Sequence, residues 1–187
     1  MPPIVAAPAT LDDLLGTPGK AELIGGRIIP LMATGHRPNR VAARIFRGLD
    51  DYAETMDRGF AYTDNMGFAV PELSSGRQSF SPDAAYYLGP IPADEMNFIA
   101  GPPTFAVEVR SKGDYGDAAE AEIAAKRADY FEAGTSVVWD VDPRAEVIRS
   151  YRAETPDRAV TFEAGQVADA EPALPGWRTA VDLVFAG

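Results

Sequence analysis

The order in which helix-like and strand-like segments follow one another constrains the fold of this 187-residue chain most strongly. A helical pattern covers residues 39–55, strand-like segments follow at 59–70 and 79–88, and a strand (105–110), a helix (114–133) and a strand (137–141) come next. Segments 147–151 and 159–162 complete a meander. This order predicts an α/β protein in which helices pack on a mixed β-sheet.

The composition fits a single globular domain. Hydrophobic residues make up 46% and charged residues 24% of the chain, as in ordinary soluble proteins. We predict one domain over residues 1–187, with residues 1–9 as a flexible leader that is rich in proline and alanine. No run approaches the roughly 18 apolar residues of a membrane span, and the N-terminus lacks the basic start of a signal peptide. We therefore expect a cytoplasmic protein that has no membrane partner.

Two carboxylates lie beside strand-like sequence. Asp83 precedes an apolar run at 84–87, and Glu108 lies inside the Val-rich strand at 105–110. A buried carboxylate is costly unless its charge is compensated. Two carboxylates that strand pairing brings together form a natural cage for a hard divalent cation such as Mg²⁺. Because the chain has no cysteine, such a metal would be held by oxygen ligands or by the single histidine, His36.

Alternation along the strand indicates which side chains share a face with Glu108. Phe105, Val107 and Val109 should point to one face of the sheet, and Glu108 and Arg110 to the other.

Lys126 shares a helix face with Ile123 and Tyr130, so it is drawn toward the sheet that carries the acids. The alternatives are that Lys126 extends outward and pairs with Glu122, and that Asp83 only caps a turn.

The order of these motifs resembles the Uma2 family, which is described as restriction endonucleases of the PD-(D/E)XK nuclease-like superfamily. The resemblance is carried by the segments Ala21-Glu22-Leu23-Ile24-Gly25-Gly26, Pro82-Asp83, Glu108-Val109-Arg110-Ser111, Lys126-Arg127-Ala128-Asp129-Tyr130-Phe131-Glu132-Ala133-Gly134, Val138-Trp139-Asp140-Val141-Asp142-Pro143 and Leu174-Pro175-Gly176-Trp177. It implies a restriction-endonuclease-like core in which a mixed sheet is flanked by helices.

The resemblance also implies roles for individual residues. Asp83 and Glu108 would bind Mg²⁺ or Mn²⁺, with Glu22 and the backbone carbonyl of Val109 as further ligands. The superfamily's catalytic lysine is usually found where this chain has Arg110, which is a poor proton-transfer group. Lys126 would replace that lysine, with Arg110 as an auxiliary cation. Glu22 has an alternative interpretation as a charge that protects an edge strand.

The net charge of −11 argues against a general nucleic-acid binder, whose binding surface is normally basic. One helix nevertheless concentrates positive charge, on an arc offset from its apolar stripe. The residues of this arginine stripe are Arg37, Arg40, Arg44 and Arg47. The stripe is either a solvated helix flank or a surface that contacts phosphates.

Three functions remain open from the sequence. The leading hypothesis is a metal-dependent endonuclease that hydrolyses phosphodiester bonds in DNA, for which a homodimer would suit cleavage of both strands. The second is a degenerate nuclease-fold module that binds protein or nucleic acid without cleavage. The third is hydrolysis by a carboxylate pair without metal, as in glycosidases, although the chain lacks an obvious sugar-binding cleft of stacked aromatic residues.

Overall fold

The computed structural model describes residues 7–186. In chain order its elements are α1 (Leu11–Leu15), β1 (Ala21–Ile24), β2 (Arg27–Pro30), α2 (His36–Met56), β3 (Phe60–Thr63), β4 (Phe68–Ala69), β5 (Ser79–Phe80), β6 (Ala84–Tyr87), β7 (Ile99–Ala100), β8 (Phe105–Val109), α3 (Asp117–Ala133), β9 (Val137–Asp142), β10 (Val147–Arg152), β11 (Thr155–Phe162), β12 (Val167–Asp169), β13 (Arg178–Ala180) and α4 (Val181–Phe185). The predicted mixed sheet with flanking helices is confirmed.

Six strands form the main sheet, in the order β11-β10-β9-β8-β6-β3. β8 and β9 pair in parallel, and their other neighbours pair antiparallel. A parallel pair needs a long crossover, and α3 supplies it. This helix ends at Gly134, whose φ of 109° is the left-handed conformation that glycine adopts readily at a helix C-terminus. The strand–helix–strand unit that the sequence predicts therefore forms the centre of the molecule.

The two faces of the sheet are covered by different helices. On one face, Val41, Ile45 and Leu49 of α2 pack in a core cluster with a row of β8 side chains. That row consists of Phe105, Val107 and Val109, as the predicted alternation requires. On the other face, Tyr130 of α3 packs in a second cluster with Ala106. Glu108 points to this second face, on the side of α3.

The segments predicted as strands at 59–70 and 79–88 are each broken in two. The first turns at Asn65, whose φ is 74°, and the second is interrupted at Pro82, which lacks the N–H that a strand needs. The short pieces β4 and β5 join β7 in a separate three-stranded sheet. β7 lies in the region 89–103, which we expected to be loop throughout.

The N-terminal hairpin turns at Gly25 and Gly26, as predicted, with φ of 56° and 67°. It is attached to the segment before β5, because the Gln78 amide donates to the Leu23 carbonyl and the Gly25 amide to the Gly76 carbonyl. The predicted leader lies largely outside the described residues, and within them the Ala9 amide donates to Gly26. Within residues 7–186 no helix is long and apolar enough to span a membrane.

Candidate active site

Asp83, which immediately precedes β6, lies opposite Glu108 of β8. Ala84 of β6 is paired with Val107 of β8, so in this antiparallel register Asp83 lies opposite Glu108. The Asp83 amide donates to the Val107 carbonyl at 3.0 Å, and the Val109 amide donates to Asp83 Oδ2 at 2.7 Å. Asp83 thus binds a backbone amide, as the turn-cap alternative proposed, but it does so across the sheet and beside the second acid.

Lys126 reaches the acids from α3. Its Nζ lies 2.9 Å from Glu108 Oε1 and 3.0 Å from Glu22 Oε1. Tyr130, one helical turn later, donates its hydroxyl to the same Glu108 oxygen at 2.6 Å. The helix face predicted from the periodicity therefore points at the carboxylates. The ammonium of Lys126 pairs with Glu22 and Glu108, and the predicted alternative pair with Glu122 does not form among the described residues.

Glu22 is part of this cluster and is not a solvated edge charge, because only 2% of its surface is exposed. The Ser81 amide donates to Glu22 Oε1 at 3.0 Å, and Arg77 Nη1 binds Glu22 Oε2. Arg77 also donates from Nε to Asp129 Oδ2 at 2.8 Å. Burial of Glu22 is thus offset by a backbone amide and two cations.

Lys20 is a site residue that the sequence reasoning missed. Its Nζ lies 3.1 Å from Asp83 Oδ1 and also pairs with Asp64. A signal was present, since Lys20 lies two residues before Glu22 in an extended segment, and such residues point to the same side. Arg77 was missed as well, and it had no local signal because its partners are more than fifty residues away.

The cluster carries excess negative charge. Its carboxylates are Glu22, Asp64, Asp83, Glu108 and Asp129, and its cations are Lys20, Arg77 and Lys126. With ordinary charges, five carboxylates and three cations leave two negative charges without a compensating cation in the cluster. A divalent cation would balance this excess.

The electrostatics keep Lys126 charged. Burial raises the pKa of Glu108 above its usual range, and repulsion from Asp83 and Glu22 adds to this rise. Burial acts in the same sense on Glu22, but the cations Lys126 and Arg77 outweigh it and hold the Glu22 pKa below its usual range. Burial opposes the charge of Lys126, yet its two carboxylate partners raise the pKa above the ordinary value. Lys126 is therefore an ammonium that can stabilise negative charge but cannot accept a proton.

The donor set fits a hard divalent cation that retains water ligands. Among residues 7–186, no group of three His, Cys, Asp or Glu side chains is arranged to hold a metal ion. Mg²⁺ is commonly bound through one or two carboxylates and several waters, and the facing pair Asp83 and Glu108 provides the two carboxylates. The carbonyl of Val109 remains a predicted ligand, next to the amide that binds Asp83.

Arg110 and the arginine stripe lie apart from these acids. Arg110 does not pair with Asp83 or Glu108, and its guanidinium binds Asp140 at 2.6 and 2.7 Å and also Glu120. The arginine stripe lies on α2, across the sheet from α3, and in it Arg37 pairs with Glu146.

Comparisons with known proteins agree with the predicted family and with the fold. A model of the Uma2 family, described as "Putative restriction endonuclease", matches residues 8–182. The fold is similar to the crystal structure of "a putative nuclease belonging to DUF820" from Anabaena variabilis, with a TM-score of 0.74 and 19% sequence identity over 95% of this chain and 98% of that chain. No curated protein is significantly similar in sequence. At this identity the structural similarity establishes a shared fold.

Proposed function

The chain belongs to the Uma2 family, and from this premise we propose that it is a metal-dependent endonuclease that hydrolyses phosphodiester bonds in DNA. The observation that carries the proposal is the pair of facing carboxylates, Asp83 and Glu108, with the Lys126 ammonium 2.9 Å from Glu108. The carboxylates and their excess negative charge suit the binding of a metal ion. The Lys126 ammonium suits the stabilisation of negative charge on a phosphate ester during hydrolysis.

Each residue of the acid cluster would have its own role in hydrolysis. Asp83 and Glu108 hold Mg²⁺ or Mn²⁺, with the Val109 carbonyl as a third protein ligand and Glu22 as a neighbouring carboxylate. A bound divalent ion supplies an activated water and neutralises charge on the phosphate. Lys126 stabilises the negative charge that develops on the phosphate oxygens. Tyr130 and Glu22 orient Glu108 and the Lys126 ammonium through the contacts described above.

The other predicted residues have more distant roles in this proposal. Arg110 would have to leave Asp140 and Glu120 before it could act as an auxiliary cation at the phosphate. The arginine stripe would contact DNA phosphates away from the point of cleavage, since α2 covers the opposite face of the sheet. A homodimer would suit the cleavage of both strands of a duplex.

A second candidate function is a module that binds without cleavage. It is favoured by the ion pairs of the two facing acids, because Lys20 pairs with Asp83 while Lys126 pairs with Glu108. It also agrees with the net charge of −11, which disfavours approach to DNA.

Metal titration separates the two functions. We expect calorimetry to detect Mn²⁺ and Mg²⁺ binding to the wild type and at least about tenfold weaker binding to Glu108→Gln. Loss of a residue that only holds a metal ligand in place lowers metal affinity by about tenfold or more, and loss of the ligand itself should lower it at least as much. Plasmid cleavage run in parallel should fall with metal affinity and stop in a chelator. Glu122→Gln, an exposed acid on the same helix, is the matched control and should behave as the wild type. A folded wild type that binds neither metal, or cleavage that Glu108→Gln retains, would refute the nuclease proposal.

A further inference from the structure

The two facing acids differ in the oxygens that they leave available. Asp83 uses both oxygens, because Oδ2 accepts from the Val109 amide at 2.7 Å and Oδ1 pairs with Lys20 at 3.1 Å. Glu108 uses Oε1 for Tyr130 and Lys126, and no hydrogen bond among residues 7–186 ends on its Oε2. Glu108 Oε2 is therefore available to a metal ion, whereas Asp83 Oδ1 is already paired with the Lys20 ammonium.

The backbone holds Lys20 in this position. The Leu31 amide donates to the Lys20 carbonyl at 2.9 Å, which extends the β1–β2 hairpin by one pair. The side chain of Lys20 is only 17% exposed, so its ammonium is directed into the cluster and not into solvent. Burial opposes the charge of Lys20, but the carboxylates of Asp83, Asp64 and Glu108 together outweigh it and raise the Lys20 pKa.

Lys20 also has a second carboxylate within reach. Asp64 follows β3, and its side chain, 38% exposed, pairs with the same ammonium. Lys20 can therefore leave Asp83 without losing all charge compensation. Two cations on one carboxylate oxygen repel each other strongly in a partly buried site, so a metal ion and Lys20 compete for Asp83 Oδ1.

We propose that Lys20 is a positioning residue that neutralises Asp83 in the metal-free protein and yields its oxygen to the divalent ion by remaining on Asp64. This inference rests on the metal site of the proposed function but not on cleavage. Lys20 thereby sets the metal affinity of the site, and it keeps the facing acids from repelling each other before metal binds. Asp64 takes part as the carboxylate that receives the ammonium.

Opposite shifts in metal affinity test the inference. Lys20→Met removes the competing charge, and we expect Mn²⁺ to bind about tenfold more tightly, with a larger metal-induced rise in Tm than in the wild type. Asp64→Asn removes the alternative partner, and we expect several-fold weaker Mn²⁺ binding because Lys20 then stays on Asp83. Lys20→Arg keeps the charge and should remain close to the wild type. Calorimetry and thermal unfolding with Mn²⁺ alone measure all four proteins.

The outcomes separate this inference from the proposed function. Unchanged or weaker Mn²⁺ binding by folded Lys20→Met, while the wild type binds, would overturn the competition and leave the nuclease proposal intact. Tighter Mn²⁺ binding by Lys20→Met, together with a wild type that binds Mn²⁺ but cleaves no plasmid, would support the competition and refute the nuclease. A Lys20→Met protein that only loses stability, with no change in its response to Mn²⁺, would show a structural role and would also overturn the inference.

Discussion

Tyr130 stabilises the site through both its ring and its hydroxyl. The ring is fully buried and stacks on Phe80 with centroids 4.1 Å apart, while the hydroxyl donates to Glu108 Oε1. Burial, and then the Glu108 carboxylate, raise the pKa of Tyr130 well above its ordinary value, so the hydroxyl keeps its proton and remains a donor. Tyr130 therefore belongs to the core through its ring and to the site through its hydroxyl.

Tyr130→Phe separates the two contributions, since the stacked ring remains and only the hydroxyl is lost. We expect the free energy of unfolding to fall by about 1–2 kcal/mol, because a buried carboxylate loses a hydrogen bond from a neutral donor. Urea denaturation without metal measures the change. The matched control is Tyr62→Phe, whose hydroxyl makes no hydrogen bond to residues 7–186, and its stability should stay within about 0.5 kcal/mol of the wild type. Equal losses in both variants would contradict the role of the Glu108 contact.

At the scale of elements, the sequence is most informative where periodicity is local. Alternation in β8 and helical spacing in α3 correctly predicted that Glu108 and Lys126 share one side of the sheet. Alternation with Glu22 could have pointed to Lys20, but no local pattern could reveal Arg77, because its acidic partners lie in other elements and are selected by tertiary pairing. The broken strands were also missed, since a residue pattern does not show where a chain leaves one sheet and joins another.

Gly134 ends α3 and so fixes the direction in which β9 begins. Because the φ of Gly134 is 109°, we expect Gly134→Ala to lower the free energy of unfolding by about 1 kcal/mol or more and Tm by about 2–4 °C. The cost is conformational, since the nearest atom to an added Cβ, in Pro102, is 3.8 Å away. Gly113→Ala is the control, because Gly113 has no positive φ and nothing lies within 4 Å of an added Cβ. Thermal unfolding followed by circular dichroism should show the loss only in Gly134→Ala. A similar Tm for both variants would contradict the conformational argument.

At the scale of the whole molecule, the acid cluster and the arginine stripe lie on opposite sides of the main sheet. The acid cluster lies with α3 on one face, and the arginine stripe lies with α2 on the other. The overall charge of −11 means that any attraction of DNA must come from a local field. If the stripe contacts phosphates, it does so without sharing ligands with the metal site, and the two functions can be changed independently.

Arg40→Ala combined with Arg47→Ala tests whether the stripe contacts DNA, since both residues are exposed on α2. The binding is measured in a Glu108→Gln background, which should not cleave the DNA. We expect the double variant to bind a labelled duplex more weakly. If both side chains neutralise phosphates, the slope of log K against log salt concentration should be shallower by about 2. Metal affinity, measured without the Glu108 substitution, should stay unchanged because α2 and the acids lie on opposite faces. Arg158→Ala, an exposed arginine on β11, is the control and should leave the slope unaltered. If the double substitution leaves the slope as it was, the stripe is a solvated flank, and any DNA substrate would have to approach the acids along the face that α3 covers.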